Sequence, residues 1–395
     1  MQQLRKGLFA GITCALLSTG CGTKDSATIP TPATVWSVQP SLKYDVCHLI
    51  GILAGRPLYL QFYPGIYQQW GSKLPAPVKA ALGQIDKILG PEWPPGPRLS
   101  LLMSFVPADG SLSAILRALD RNKEIYDRLM QSDYASQNNW KQWVDLKPHV
   151  QVVLQHLQSS GFENYWREQL WPGISARIEQ ARQELQPYDV VGDLKRFLVD
   201  FEGRDTLQVF FLALAHPHEL RLSSYQRATD IRNPLREMVR SFYEQMAHPY
   251  CDRLVDSLFA ADFAALQADS FLIKAQRLHA GGHGMSNYFR KELVVAVELW
   301  LAGRRQLLPV GTNLANAGTD EAARQYLRIT DNGAHILAAV IYSYLESGLK
   351  VERLTYADFV RDLFASGRLR AGRIESRYTD FMSRPANPEA GSPND

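Results

Sequence analysis

The sequence FYEQMAHPY, from Phe242 to Tyr250, decides how the second half of this chain is interpreted. It closes a run, Leu235 to His248, in which apolar residues recur every three or four positions and predict an amphipathic helix. Pro249 is expected to end or kink that helix. Glu244 and His248 are four residues apart, so on a helix their side chains point the same way and can share an ion.

A metal ion held by Glu244 and His248 needs a third ligand from elsewhere in the chain. Zn²⁺ accepts both carboxylate and imidazole ligands. Glu292 enters a predicted helix whose next residues are nearly all apolar. A carboxylate in that setting is expected to be part-buried and to need a cation, a His or a metal as its partner. We therefore expect Glu292 to be the third ligand, with Glu298 in the same helix as its rival.

The order of these features resembles the gluzincin metallopeptidases. In that family a His-Glu-x-x-His motif lies on one helix, and a Glu on a second, downstream helix completes the zinc site. Here the motif reads EQMAH, from Glu244 to His248, and an apolar stretch, Thr206 to Ala215, precedes it. The resemblance covers roughly residues 200–300. It implies zinc bound by Glu244, His248 and Glu292, and it puts Gln245 where the general base stands.

Two departures from the family motif bear on activity. Glu244 replaces a neutral nitrogen ligand with an anionic oxygen, which makes the site harder and more negative. Gln245 replaces the carboxylate that takes a proton from metal-bound water, and an amide cannot do this near neutral pH. We therefore expect a metallopeptidase-like protein with little or no peptidase activity that keeps a cleft for a peptide or protein.

The same residues also allow a purely structural explanation. Glu237, Ser241, Glu244 and His248 form one polar stripe of the helix, and a Glu–His pair at this spacing contributes only about 0.2–0.5 kcal/mol. In this alternative the protein is a non-enzymatic helical scaffold or binding lipoprotein of the cell envelope. Glu292 would then pair with an Arg or a Lys.

The first residues indicate export and a lipid anchor. Arg5 and Lys6 precede a short apolar run, and small residues lead to Cys21, so residues 1–20 resemble a bacterial lipoprotein signal peptide. Cys21 would carry the lipid, and residues 21–34 would form a flexible tether. Ordinary signal-peptidase cleavage, which would release a free secreted protein, is the alternative. The predicted location is the cell envelope, with the body on its periplasmic or extracellular face.

The composition limits the classes of molecule expected to bind this protein. The formal net charge is +3, and no basic run stands out, so nucleic acid is not expected as a partner. The expected partners are the membrane, through the lipid, and a peptide or cell-envelope protein. Cys47 and Cys251 would form a disulfide or remain buried free thiols, and both alternatives stay open. His216 and His218 directly follow the apolar stretch. We interpret them as part of the loop that leaves the strand rather than as metal ligands.

The fold class expected from these patterns is mainly α, in the α+β sense, with a zincin-like helical core and a small sheet. Residues 35–200 are expected to form an N-terminal, mainly helical region, residues 201–380 the zincin-like core and residues 381–395 a disordered tail. Leu99 to Val106 is interpreted as a strand. Thr206 to Ala215 is interpreted as a buried strand that could pair with an extended peptide.

Overall fold

Helices dominate the fold, and the sheet is small. The computed structural model describes residues 33–91, 94–278, 284–308, 319–346 and 355–384. The protein is about 69% helical with one four-stranded mixed sheet, which confirms the predicted mainly α, α+β class. The predicted signal peptide, Cys21, nearly all of the tether, and residues 385–395 of the predicted tail lie outside the described residues.

The first half of the chain contains one strand and eleven α-helices among its described residues. They are β1 (Val35–Pro40), α1 (Leu42–Leu53), α2 (Pro57–Phe62), α3 (Pro64–Ile66), α4 (Ala76–Leu89), α5 (Pro95–Met103), α6 (Leu112–Leu119), α7 (Asn122–Met130), α8 (Gln137–Ser159), α9 (Phe162–Tyr165), α10 (Trp171–Leu185) and α11 (Val190–Leu198). Two π-helical turns, Tyr67–Gly71 and Trp166–Leu170, extend α3 and α9.

The second half contains the other three strands and eight α-helices among its described residues. They are β2 (Thr206–Leu212), β3 (Glu219–Ser223), β4 (Gln226–Asp230), α12 (Leu235–Arg253), α13 (Ala260–Leu266), α14 (Ser270–Leu278), α15 (Met285–Arg304), α16 (Thr319–Ile329), α17 (Ile336–Glu346), α18 (Tyr356–Ala365) and α19 (Ile374–Met382). A π-helical turn, Leu254–Leu258, follows α12, and a 3₁₀ turn, Thr330–Gly333, precedes α17.

The sheet joins the two halves of the chain. Its strand order is β1-β2-β4-β3, with β1, β2 and β4 parallel and β3 antiparallel at the edge. One large cluster of buried apolar residues runs from Val38 to Phe381, so the core continues across the predicted boundary at residue 200. Phe381 is fully buried at the end of α19, so the predicted tail starts two residues too early at its helical end.

The stretch Thr206 to Ala215 forms a strand, but it cannot accept a peptide as predicted. Its residues Thr206–Leu212 form β2, which pairs with β1 on one side and with β4 on the other. A peptide adds to a sheet only at an edge with unpaired backbone groups. The prediction was wrong because an apolar sequence does not distinguish a strand at the edge of a sheet from one at its centre.

The predicted strand at Leu99 to Val106 is wrong. Leu99 to Met103 belongs to helix α5, which begins at Pro95, where a proline fits because the first helical N–H has no partner. This helix is buried on several sides, since it packs on α1 and beside β3. Its residues therefore show no helical alternation of apolar and polar side chains, and a short run of this kind does not distinguish a helix from a strand.

Pro249 does not end the helix that carries the motif. Helix α12 continues past it to Arg253. A proline inside a helix removes one hydrogen bond and leaves the carbonyl four residues earlier without its donor. Pro249 is exposed, so it lies on the solvent side of the helix, where water can satisfy that carbonyl.

The two cysteines of the described body do not pair. Cys47 lies in α1 and Cys251 in α12, and each is a buried free thiol. Burial raises the pKa of the Cys47 thiol to about 12, so it stays protonated and packs as a small apolar side chain. This resolves the alternatives left open by the sequence in favour of free thiols.

Candidate functional site

Helix α12 presents the motif to helix α15. The apolar face of α12 is buried, with Met238, Val239 and Phe242 no more than 1% exposed. Its polar side packs against α15, which is among the most extensive helix contacts in the molecule. Glu244 and His248 both lie within α12, so the sequence prediction that they share one side of a helix is confirmed.

A lysine from α15 neutralises Glu244. The ammonium of Lys291 donates a hydrogen bond to Glu244 Oε1, and the two side chains are 26% and 19% exposed. Burial alone would raise the pKa of Glu244, but Lys291 holds it below its ordinary value. Burial alone would lower the pKa of Lys291, but Glu244 raises it above its ordinary value. Each group therefore keeps the other charged in a place that excludes much of the solvent.

His248 lies beside this pair as a neutral imidazole. Burial, followed by repulsion from the ammonium of Lys291, lowers the pKa of His248 to about 4. At neutral pH the ring thus carries no charge, while the ion pair next to it carries one charge of each sign. A metal-binding imidazole is also neutral, but the nearest cation here is a lysine.

Glu292 points away from α12. Its Oε1 is 2.6 Å from His335 Nδ1, and its Oε2 accepts a hydrogen bond of 2.9 Å from the Ala338 backbone N–H. Both side chains are completely buried. Burial would lower the pKa of His335, but Glu292 raises it above its ordinary value, which favours the imidazolium. Glu292 was predicted to be part-buried and to need a partner. It is fully buried, and its partners are His335, directly before α17, and the Ala338 N–H within α17.

Glu298, the rival ligand, does face α12 but is also paired. It forms an ion pair with Arg240, one turn before Glu244, and accepts a 3.3 Å hydrogen bond from Tyr326 Oη. The side chain of Glu298 is fully buried. Burial, and then the carboxylate of Glu244, raise the pKa of Glu298. Helices α12 and α15 are thus joined by two ion pairs, Arg240 with Glu298 and Glu244 with Lys291.

The charged contacts continue from α12 to the sheet. Arg227 in β4 is only 5% exposed, yet it donates to Glu219 Oε1 at 2.7 Å and to the backbone carbonyl of Ser241 at 3.1 Å. This guanidinium fixes the register between the sheet and α12. The polar side of α12 is therefore held on both flanks by charged partners from the protein itself.

Gln245 occupies the position of the general base without the chemistry of one. Its side-chain Oε1 is buried and has no hydrogen-bond partner among the described residues. An amide neither accepts a proton from water near neutral pH nor carries the negative charge that a metal site would stabilise.

The residues present do not fit a bound zinc ion. In the described parts of the chain, no group of three or more His, Cys, Asp or Glu side chains is arranged to hold a metal. Glu244 is engaged by Lys291, and Glu292 is engaged by His335 and Ala338. The ammonium of Lys291 brings a positive charge to the spot where a zinc ion would need anionic or neutral donors.

His218 lies beside a third histidine, His48, that the sequence did not indicate. His218 lies beside His48 of α1, with a ring-centroid distance of 6.1 Å, and His216 packs on Phe62. Both ring nitrogens of His48 are buried and have no partner among the described residues. Burial, followed by the proximity of His218, lowers the pKa of His48 to about 3, so its ring is neutral.

An open pocket of about 640 Å³, which the sequence did not indicate, lies apart from α12 and α15, since none of its lining residues belongs to either helix. It lies where β1 ends and α1 begins, and its walls include Lys43, Trp166, Trp171 and Phe210. The only sequence signal was WREQLW, from Trp166 to Trp171, in which two tryptophans stand five residues apart. A helical segment with this spacing does not by itself distinguish a pocket wall from a core.

Comparisons with known proteins add no relative. No protein-family model, no curated protein and no solved structure matches the chain. Within the described residues, no helix is both long and apolar enough to span a membrane.

Proposed function

We propose that this is an exported, lipid-anchored protein of the cell envelope whose second half is a metallopeptidase-like core without hydrolytic chemistry. In this proposal it acts by binding a peptide or envelope protein. Glu244, Gln245 and His248 correspond to the altered motif, and Lys291 takes the place of the metal. Export and the anchor rest on residues 1–21, where a basic start and a short apolar run lead to Cys21.

One observation carries the loss of chemistry: the ion pair between Glu244 and Lys291. A metalloprotease needs a Lewis acid and a bound water that becomes a nucleophile. An ammonium ion can neutralise a carboxylate, but it has no open coordination position and cannot lower the pKa of a water to near neutrality. The exchange of a metal for a lysine therefore keeps the helices together and removes the reaction.

The order of elements supports the metallopeptidase-like part of the proposal. Helix α12 with the altered motif begins five residues after β4 ends, at Leu235 and Asp230, and α15 then packs along it. The side chain of α15 that reaches the motif is Lys291, one residue before the predicted ligand Glu292. A single change of Lys291 to a carboxylate would therefore replace the part-buried ion pair with a third ligand beside Glu244 and His248.

The test is to rebuild the site and measure its zinc. We would prepare residues 22–395 with the changes Glu244→His, Gln245→Glu and Lys291→Glu, and measure metal by mass spectrometry after dialysis. The expected result is about one zinc per chain, since two imidazoles and a carboxylate complete a three-ligand site. The matched control carries Lys291→Met with the same two motif changes, and it should bind zinc far more weakly.

Equal zinc in the Glu and Met versions at residue 291 would contradict the assignment of that position. If neither version holds zinc while both stay folded, the metallopeptidase-like interpretation is wrong. The second candidate, a helical envelope scaffold with no enzymatic ancestry, would then stand. The pairing of Glu292 with His335 and Ala338 favours that candidate, because it uses the predicted ligand purely to join α15 to α17.

The lipid anchor is tested separately. Cells that express the full chain would be grown with radiolabelled palmitate, and the protein would be isolated from the membrane fraction. Label is expected in the wild type and in Cys14→Ser, and it should disappear in Cys21→Ser, because Cys21 follows the predicted cleavage position. Label that persists in Cys21→Ser, or a wild type without label, would contradict the anchor.

A further inference from the structure

The pocket at the start of α1 lies where ligands bind in open parallel sheets. Gln39 and Pro40 at the carboxyl end of β1 form one wall, and α1 begins two residues later. The crevice beyond the carboxyl ends of parallel strands is a common ligand site, because the chain leaves the sheet there and the next helix begins. None of the pocket residues belongs to α12 or α15, so the inference is independent of the motif.

The apolar walls of the pocket are flat and rigid. Trp166 and Trp171 lie with their ring centroids 5.8 Å apart, and Phe210 forms another wall. Trp166 cannot swing away, because its Nε1–H donates a 2.8 Å hydrogen bond to the buried carboxylate of Asp45. Trp171 is 37% exposed, so part of its ring faces the solvent. Aromatic surface of this kind binds a flat apolar body at little entropic cost.

The carboxylates around the pocket are already satisfied. Asp109 accepts hydrogen bonds from Ser41 Oγ at 2.5 Å, from the Lys43 backbone N–H at 3.0 Å and from the Gly110 N–H at 2.7 Å. It caps the N-terminus of α1, where a negative charge is stabilised by the helix dipole. Its capacity to attract a cationic ligand is therefore largely used within the protein.

The remaining carboxylate next to the pocket, Glu163, is engaged in the same way. Its Oε2 accepts from the Leu112 backbone N–H at 2.9 Å, and its Oε1 accepts from Arg167 at 2.9 Å. Arg167 also donates to the carbonyl of Gly110 at 2.7 Å, which holds the guanidinium at the rim of the pocket. Asp109 and Glu163 are thus occupied by hydrogen bonds within the protein, and Glu163 holds Arg167 at the rim of the pocket.

The ammonium of Lys43 is less completely hydrogen-bonded than the carboxylates. Lys43 lines the pocket and is only 6% exposed. Among the described residues its ammonium donates one hydrogen bond, to the Val106 carbonyl at 3.0 Å, although it has three N–H groups. The ammonium also lies 4.9 Å from the centroid of the Tyr44 ring, and the carboxylate of Asp109 is close enough to raise the pKa of Lys43 against the effect of burial. Two of its N–H groups still have no hydrogen-bond acceptor among the described residues, so an anion in the pocket would stabilise this buried charge.

We propose that this pocket binds a monocarboxylate with a flat apolar body, whose rings lie against Trp166, Trp171 and Phe210 and whose carboxylate accepts from Lys43. The volume of about 640 Å³ lies within the range that holds a ligand of drug-like size. Arg167 at the rim adds a second cation on the same side. A carboxylate is favoured over a neutral polar group because hydrogen bonds between charged groups are about twice as strong as neutral ones.

The test uses three ligands with one body and three charges: indole-3-acetate, indole-3-acetamide and tryptamine. Binding to residues 22–395 would be measured by isothermal titration calorimetry. Indole-3-acetate is expected to bind at least about tenfold more tightly than the neutral amide, and tryptamine most weakly. Similar affinities for acetate and amide, or no binding of any of the three at millimolar concentration, would overturn the proposal.

Two variants assign the contacts. Lys43→Met keeps most of the length of the side chain without its charge. It should reduce the affinity for indole-3-acetate to that for the amide, with the affinity for the amide itself unchanged. Trp171→Ala, at a part-exposed position, should weaken all three ligands by a similar factor of about five to tenfold. Arg182→Met, at a surface residue of α10, is the control and should change nothing. Retained preference for the acetate in Lys43→Met would contradict the role of that residue, and unchanged binding in Trp171→Ala would contradict the aromatic wall.

Discussion

The α12–α15 interface and the pocket at the start of α1 differ in how their buried cations are paired. At the interface, Glu244 pairs with Lys291 and Glu298 pairs with Arg240, so every cation has a carboxylate opposite it. At the pocket, Lys43 is more deeply buried than Lys291, but its ammonium has one backbone carbonyl as hydrogen-bond acceptor among the described residues and the Tyr44 ring 4.9 Å away. The first arrangement is closed and holds helices together. The second leaves donors and aromatic surface for a ligand, although no sequence motif marks it.

Changes to the paired charges of α15 are expected to act on stability, with the largest effect at Glu292, which links α15 to α17. Glu292→Ala would remove the carboxylate that contacts both His335 Nδ1 and the Ala338 N–H in a fully buried place, while Asp331 Oδ2 stays 3.2 Å from His335 Nε2. We expect the free energy of unfolding to fall by about 3–5 kcal/mol, as for other buried pairs broken on one side. Urea unfolding at pH 7 measures this, with Glu237→Ala at an exposed position of α12 as the control. A loss no larger than that of the control would contradict the role of Glu292 as a buried link.

A smaller loss is expected at Lys291, whose pair keeps some contact with solvent. Lys291→Met should lower the free energy of unfolding by about 2–3 kcal/mol, because it leaves Glu244 charged and without its partner. Adding Glu244→Gln should restore most of that loss, since no buried charge then remains.

The matched control for this pair is Arg182→Met. Arg182 is 54% exposed and pairs with Glu179, which is 67% exposed, so its change should cost less than about 1 kcal/mol. If the double variant at residues 244 and 291 were no more stable than Lys291→Met, the two side chains would not be coupled as the contact implies.

Acid should weaken the interface through His248. Its pKa is about 4 in the folded protein, against an ordinary value near 6.5. Between these two pH values the unfolded chain binds a proton at this residue and the folded chain does not. This contribution to stability is complete above about pH 6.5 and is lost as the pH falls toward 4. Between pH 7 and pH 5 the loss from this residue should be about 1–2 kcal/mol.

The check on His248 is urea unfolding at both pH values. In His248→Gln the fall in unfolding free energy from pH 7 to pH 5 should be smaller than in the wild type by that amount. His156→Gln, at a surface ring next to Ser160, should keep the wild-type fall. An unchanged fall in the variant at residue 248 would show that this ring is not held neutral.

The smallest effect on stability is expected at the pocket. Burial is the largest influence on Lys43 and lowers its pKa, which means that the fold disfavours its charged form. Lys43→Met should therefore change the unfolding free energy at pH 7 by less than about 1 kcal/mol, or raise it, because it removes a poorly satisfied charge. A loss as large as that of Lys291→Met would make Lys43 a structural residue like Lys291 and remove the contrast between the two regions.

The sequence predicted the parts of the fold that depend on local pattern. The start of α12 at Leu235 follows from apolar spacing and the strand in Thr206 to Ala215 from a continuous apolar run, and the structure confirms both. The strand expected at Leu99 to Val106 is a helix, because burial on several sides removed the periodicity that identifies helices. Which sheet edge is free, and so where a peptide could pair, depends on long-range pairing that no local pattern contains.

The candidate site was predictable only in part. The spacing of Glu244 and His248 fixes their common side of α12, and the apolar run after Glu292 correctly indicated a buried carboxylate. A residue's rotation about α15 depends on which neighbours that helix packs against, and a shift of one residue turns a side chain by about 100°. Lys291 therefore faces α12 while Glu292 faces α17. The pocket at Lys43 joins residues far apart in the chain, so its unsatisfied ammonium could not be read from the sequence.

In the proposed function Lys291 stands where a metallopeptidase holds its metal, and the metal content of the wild-type protein tests this most directly. The soluble body, residues 22–395, would be produced with zinc in the medium, and metal would be measured by mass spectrometry with and without a chelator. We predict far less than about one zinc per chain and an unfolding curve that the chelator leaves unchanged. About one zinc per chain, removed by the chelator together with a loss of stability, would contradict the claim.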